Sequence, residues 1–206
     1  MGCFREIVYF VAVMEAENVV LISPEEYLES EKESEIKHEY LGGTVHAMSG
    51  ASKQHNRIAG SIYRLLASKI GAGPCEPFIG DVKVHLKTAI SEFFYYPDVV
   101  VGCDPEDNNE YYLENPAIIF EVLSPSTENI DRREKLLAYQ SIESLEHYVI
   151  VSQEKMEIEW LHRSGEGWKV SKLIRPADAL EFSEQGATLL LSEIYEGIDF
   201  PAENEG

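Results

Sequence analysis

Basic residues are scarce in this chain: 17 Lys and Arg stand against 37 Asp and Glu, a formal net charge of −20 over 206 residues. That balance excludes a protein that coats nucleic acid non-specifically, because such binding rests on counterion release by a surplus of cations facing phosphates. It leaves room for a local basic cleft, or for a site where metal ions offset carboxylates. Cysteine is scarcer still. Cys3, Cys75 and Cys103 make an odd number with no C-x-x-C spacing, so neither a disulfide scaffold nor a zinc finger is expected, and a reducing, cytoplasmic setting follows. Long apolar runs are also missing. The longest near the start, Ile7 to Met14, falls far short of the roughly 20 residues that span a bilayer, and no small-residue cleavage site follows it, so no membrane segment is expected. Repeats, linkers and low-complexity blocks are absent, and 44 % hydrophobic residues suffice for a sizeable core, which favours one α/β domain over residues 1–206.

The patterns that are present alternate between two periods. Ser23 ahead of Pro24, Glu25 and Glu26 predicts a helix start, since serine caps, proline suits the first turn and acids favour the positive end of the dipole. Gly42-Gly43 marks a tight turn into the strand TVHAMSG. Lys53 to Ile70 sets Ile58, Ile62, Leu65 and Leu66 on one face, the pattern of an amphipathic helix. Phe78 to Leu86 alternates, with Val82, Val84 and Leu86 on one side and Asp81, Lys83 and His85 on the other. YYPDVVVG and AIIFEVLS are nearly continuous apolar runs, as in central strands buried on both faces. A helix from about Asn129 to Ile142 follows, then the strands YVIVSQ, MEIEWLHR and WKVSKLI with a GEG hairpin turn, and a short tail from Pro201.

Glu121 is the chemical anomaly, a carboxylate in the middle of AIIFEVLS. An ionised side chain enters such a strand only with a cation, a proton or hydrogen bonds to compensate it; the plainer reading puts it at an exposed strand end. Asp98 repeats the pattern one strand earlier, after Pro97 and before three valines. If the two strands are neighbours, the acids converge on a hard-oxygen site suited to Mg²⁺ or Mn²⁺; otherwise Asp98 is a loop-edge aspartate. Asp131, Lys135 and Tyr139 share one helix face at i, i+4, i+8. Lys135 then either aims at the carboxylates, to orient a water or stabilise developing charge, or pairs with Asp131 at the surface. Asp81 and Lys83 read as cleft lining or as an exposed sheet face. His38, His55 and His85 lack a nucleophile or metal-ligand spacing, and Gln54 and Arg57 open the long helix, where a solvated start is the simpler reading. Trp160 and Trp168 read as core or hairpin packing.

These segments in order, SEIKHEYLGGTVHAMSGAS, GDVKV, YYPDVVV, IIFEVLSPST and DRREKLLAY, closely resemble the Uma-two family of restriction-endonuclease-like proteins within the PD-(D/E)XK nuclease superfamily. The likeness runs from about Ile22 to Ile174 and leaves residues 1–20 outside it. It implies a restriction endonuclease-like core, a central mixed β-sheet flanked by helices, and divalent-metal-dependent hydrolysis of nucleic-acid phosphodiester bonds, with DNA as substrate and a homodimer as assembly. It also implies site residues. Asp98 corresponds to the acid of the Pro-Asp motif and Glu121 to the acid of the second motif. The superfamily lysine ordinarily stands two residues later, where this chain has Leu123, so the resemblance moves that role to Lys135. Glu39 corresponds to an additional acid. Asp98, Glu121, the backbone carbonyl of Val122 and Glu39 would then hold Mg²⁺ or Mn²⁺, and Asp98, Glu121, Lys135 and Glu39 would carry catalysis.

Two functions remain open on the sequence. One is the metal-dependent nuclease. The other is a non-catalytic binding or assembly protein that keeps the nuclease fold, favoured by a net charge that repels a duplex unless the cleft is locally basic.

Overall fold

The computed structural model describes residues 20–124, 134–165 and 167–200. Its first part runs α1 (Pro24–Lys32), β1 (His38–Leu41), β2 (Thr44–Ala47), α2 (Lys53–Lys69), β3 (Glu76–Ile79), β4 (Lys83–Lys87), β5 (Glu92–Tyr95) and β6 (Val99–Gly102). There follow β7 (Tyr112–Leu113), β8 (Pro116–Leu123), α3 (Leu136–Gln140), β9 (His147–Ser152), β10 (Ile158–Ser164) and β11 (Gly167–Leu173), then β12 (Ala179–Phe182), β13 (Ala187–Leu190) and α4 (Leu191–Ile194). The architecture is mixed α/β. One sheet has the order β11-β10-β9-β8-β6-β3, a second β2-β1-β5-β4-β7, and β12-β13 form a separate hairpin.

Local chemistry sets the helix ends. Ser23 Oγ accepts from Glu26 N at 3.1 Å while Glu26 Oε2 accepts from Ser23 N at 2.8 Å, a reciprocal cap that begins α1 where the sequence places it. Ser52 Oγ accepts from His55 N at 3.0 Å and starts α2. The β1–β2 turn needs left-handed backbone at both central positions, and Gly42 and Gly43 supply φ of 58° and 104°.

All eight residues of β8 are buried, and their two faces meet different cores. Ile118, Phe120 and Val122 join the apolar face of α2, Ile58, Ile62, Leu65 and Leu66, together with β12 and β13. Ile119 and Leu123 join Val84, Leu86, Tyr95 and Tyr139 between the two large sheets. Strand alternation therefore points Glu121 toward this second core, with Ile119 and Leu123.

Three sequence expectations are revised. Phe78 to Leu86 is not one strand: Gly80, at φ 70°, ends β3, and β4 continues in the other sheet. YYPDVVVG is likewise divided, because Pro97-Asp98 stands between β5 and β6 and the two belong to different sheets. Finally, Cys75 and Cys103 are joined by a disulfide. The antiparallel pairing sets Glu76 opposite Gly102, which brings the next residue on each strand face to face, a register that cysteine spacing does not reveal. The cytoplasmic expectation loses the support it drew from unpaired cysteines. Cys3, residues 1–19, the tail from Pro201 and most of the first half of the Asn129–Ile142 helix lie outside the described residues. No helix among those described is long and apolar enough to cross a membrane.

Candidate active site

A cleft of about 640 Å³ opens where the N-terminal end of α2, the residues ahead of β6 and the C-terminal half of β8 meet; Lys37, His55, Asp98, Glu121, Lys135 and Gln153 are among its lining. Glu121 is only 3 % exposed, so the strand-end reading does not hold. Its compensation comes from across the sheet. Lys135 Nζ lies 3.1 Å from Glu121 Oε1 and 2.9 Å from Glu39 Oε1 on β1, and Tyr139 donates its hydroxyl to Glu121 Oε1 at 3.2 Å. Lys135 is itself 5 % exposed, which sets aside the surface-lysine reading; Asp131, its expected surface partner, lies outside the described residues. Glu39 Oε1 also accepts from Tyr96 N at 3.3 Å.

The buried charges are felt by the phenols around them. Burial pushes the Tyr139 hydroxyl far above its ordinary pKa, and the Glu121 charge adds to the shift. Tyr95, under Lys135 Nζ at 5.6 Å from its ring centroid, is pushed up to about 12 by burial and then by Glu39. Both side chains therefore stay neutral and serve Glu121 and Lys135 as donor and as polarisable wall.

Asp98 occupies the other side of the cleft. β6 and β8 are antiparallel neighbours, Val99 opposite Phe120, so the acid just ahead of β6 comes level with Glu121 and Val122. Asp98 Oδ2 accepts from Val122 N at 2.7 Å and stands 3.2 Å from His55 Nε2. The first turn of α2, which carries His55, is tied to Gln153: Ser52 Oγ, which caps the helix, donates to Gln153 Oε1 at 2.6 Å, and Gln54 Nε2 donates to the Gln153 carbonyl.

Of the expected site residues, Asp98, Glu121, Val122 and Lys135 line one cleft, and Glu39 joins them through Lys135; they divide into two groups, Glu39 and Glu121 around the Lys135 ammonium, and Asp98 with His55 and the Val122 amide. Among the described residues no three His, Cys, Asp or Glu side chains stand close enough together to hold a metal ion. The donors fit Mg²⁺ or Mn²⁺ in kind only: Asp98, Glu121 and Val122, which carry hard oxygens, all line the cleft.

Several other residues fall away from the cleft chemistry. Arg57 reaches the Gly197 carbonyl at 3.2 Å. His85 is stacked on Phe94 with ring centroids 4.2 Å apart and bonds Glu92 and Glu114. Trp160 packs against Phe182 and Trp168 against Arg163, as packing residues do. Lys83 turns inward rather than lining a polar face: Nζ donates to Tyr96 Oη at 3.2 Å, Tyr96 donates to Glu31 Oε1 at 3.1 Å, and His38 Nδ1 lies 3.1 Å from Glu31 Oε2. Burial lowers the Lys83 pKa, with Glu31 opposing the shift. Asp81 pairs with Lys37. His55, Ser52 and Gln153 are the cleft residues that sequence reasoning missed. The signal was faint: a serine cap is visible, but its bond to Gln153 spans 101 residues.

A family model described as "Putative restriction endonuclease" matches residues 24–203. The chain belongs to the Uma2 family. The match covers both halves of the cleft and begins at α1. Two uncharacterized proteins of Synechocystis are similar to this chain. One is 34 % identical over 180 residues, covering 87 % of this chain and 94 % of the relative; the other is 32 % identical over 167 residues, covering 79 % and 93 %. A crystal structure of a "putative nuclease" from Anabaena variabilis superposes with a TM-score of 0.63 over 79 % of this chain and 92 % of that one, at 12 % identity, a likeness of fold. Family membership supports a nuclease.

Proposed function

We propose that the chain is a divalent-metal-dependent endonuclease that hydrolyses DNA phosphodiester bonds, working as a homodimer. The observation that carries the proposal is the buried Lys135 held between Glu39 and Glu121 in a cleft that also contains Asp98. A cation sequestered against carboxylates contributes little to stability compared with apolar packing of the same volume, so its placement at a solvent-reached cleft argues for chemistry. Asp98, Glu121, the Val122 carbonyl and Glu39 are the residues that would hold Mg²⁺ or Mn²⁺. When bound, the ion supplies a water of lowered pKa and positive charge for the phosphoryl oxygens. Lys135 orients the attacking water and stabilises charge that develops on the phosphate, while Tyr139 fixes the Glu121 carboxylate from behind. Attack by the water on phosphorus breaks the bond to the 3′ oxygen; the water's proton passes to solvent, and the 3′ oxygen leaves with a proton from solvent.

Glu121→Gln keeps the shape and removes the charge. We expect it to retain its circular dichroism spectrum and lose at least about 100-fold in Mg²⁺- or Mn²⁺-dependent nicking of supercoiled plasmid. An unchanged rate would sink the assignment. A second reading, a binding module that keeps the fold without turnover, is favoured by the lining charges: Glu35, Asp98 and Glu121 oppose Lys37 and Lys135, and Lys37 is already paired with Asp81. Metal binding with no cleavage of any nucleic acid tested would favour it.

A further inference from the structure

Three apolar side chains stand exposed on the lip of the cleft, and the proposed hydrolysis uses none of them. Ile36, Met48 and Ile79 are 57, 36 and 37 % exposed, and all line the cleft. Single exposed apolar residues are ordinary on a protein surface, but these three come from separate segments and converge. The backbone joins the segments. Met48 N donates to the Lys37 carbonyl at 2.9 Å, one residue from Ile36, and Lys37 Nζ donates to the Gly80 carbonyl at 2.8 Å, one residue from Ile79. Gly80 N in turn donates to the Asp98 carbonyl at 3.0 Å. The apolar lip therefore adjoins the acid proposed to hold the ion that meets the phosphate. A nucleotide with its phosphate at that ion has its base, the next bulky group, within reach of the lip.

We infer that Ile36, Met48 and Ile79 form a subsite for an unpaired nucleobase, so that the substrate is single-stranded or locally unpaired DNA. The inference rests on the nuclease reading above and adds the form of nucleic acid to it. Charge favours the single strand: a duplex carries one phosphate per ~1.7 Å of axis and a single strand about half that density, so a chain of net charge −20 repels the duplex more. Lys37, at the same lip, is already paired with Asp81. Apolar side chains need no cation to hold a base, because every base has a face to bury. In a duplex that face is sealed in the stack, and reaching the lip would cost unpairing and unstacking.

Cleavage of three oligonucleotides of one sequence tests it on the full chain with Mn²⁺: a single strand, a full duplex, and a duplex with a central run of unpaired nucleotides. We expect kcat/KM for the single strand and for the interrupted duplex to exceed that for the full duplex by about tenfold or more. Ile79→Ser and the double variant Ile36→Ser/Met48→Ser change exposed positions, so their circular dichroism should match wild type; KM for the single strand should rise roughly tenfold with kcat little changed. Met48→Phe should hold or lower KM, since bases stack on rings. A readout free of turnover comes from 2-aminopurine in a single strand with hydrolysis-resistant phosphorothioate linkages: its fluorescence should rise as the base leaves its neighbours for the lip of wild type, and not with the serine variants. Equal cleavage of duplex and single strand, or serine variants with wild-type KM and fluorescence, would overturn the inference and leave the nuclease reading standing. A fluorescence rise lost in the serine variants, with no cleavage of any oligonucleotide, would support the subsite and overturn the nuclease reading. Neither cleavage nor a fluorescence rise would overturn both.

Discussion

Individual side chains carry the opposed demands of burial and charge. Glu121 and Lys135 are each nearly inaccessible and each compensates the other, an arrangement the sequence half announced. A glutamate inside AIIFEVLS is legible because ionised groups avoid such strands. Its partner was ambiguous, since i, i+4 spacing to Asp131 offered Lys135 a surface partner and spacing cannot report what lies across a sheet. His147 gives a residue-scale test of burial. Its Nδ1 accepts from Trp160 Nε1 at 3.2 Å, and burial, with His162 nearby, lowers its pKa to about 4. The folded protein therefore keeps this imidazole neutral where the unfolded chain protonates it. Stability is complete above about pH 6.5, falls as pH drops from there toward 4, and changes no further on account of this group below that. We expect the loss between pH 6.5 and 4.5 to be about 2 kcal/mol in urea unfolding, and the slope in that window to flatten in His147→Phe. Equal slopes in both proteins would refute the assignment.

Elements place these residues by repetition of period. α2 was readable from its apolar residues, which recur at helical spacing, though its Ser52 cap was not; the observed helix ends one residue short of the expected Ile70, which serves as its C-cap. The divided strands were not readable, because Gly80 and Pro97 each interrupt an apolar run too briefly for the pattern to register a change of sheet. Ile62 faces β8 from the middle of α2 and is fully buried. Ile62→Ala should cost 2–5 kcal/mol in chemical unfolding, about the range for deleting a packed branched side chain. A cost below about 1 kcal/mol would mean that α2, with the Ser52 cap at its start, is not pinned to the sheet there.

At the scale of the whole molecule, charge is the dominant constraint. A net −20 repels a polyanion, and the described cleft lining does not reverse that sign. On the proposed reading, bound metal adds the positive charge that Lys37 and Lys135 do not supply. We expect DNA binding, followed by fluorescence anisotropy, to strengthen at least tenfold on adding Mn²⁺ and to be abolished by EDTA; metal-independent binding of equal strength would place the nucleic-acid contacts elsewhere.

The sequence by itself determined the α/β class, the Ser23 cap, the amphipathic face of α2 and the two acids set in apolar runs, because each is written in residues a few positions apart. It also carried the family motifs. Tertiary structure decided the rest: that Lys135 turns inward between Glu39 and Glu121, that Asp98 meets His55 from α2, that Lys83 is buried, and that Cys75 pairs with Cys103. Periodicity tells a side chain which face it occupies, but not which sheet its strand joins or what stands opposite, and those partners lie 14 to 96 residues away, as with Glu121–Lys135 (135 − 121 = 14) and Glu39–Lys135 (135 − 39 = 96).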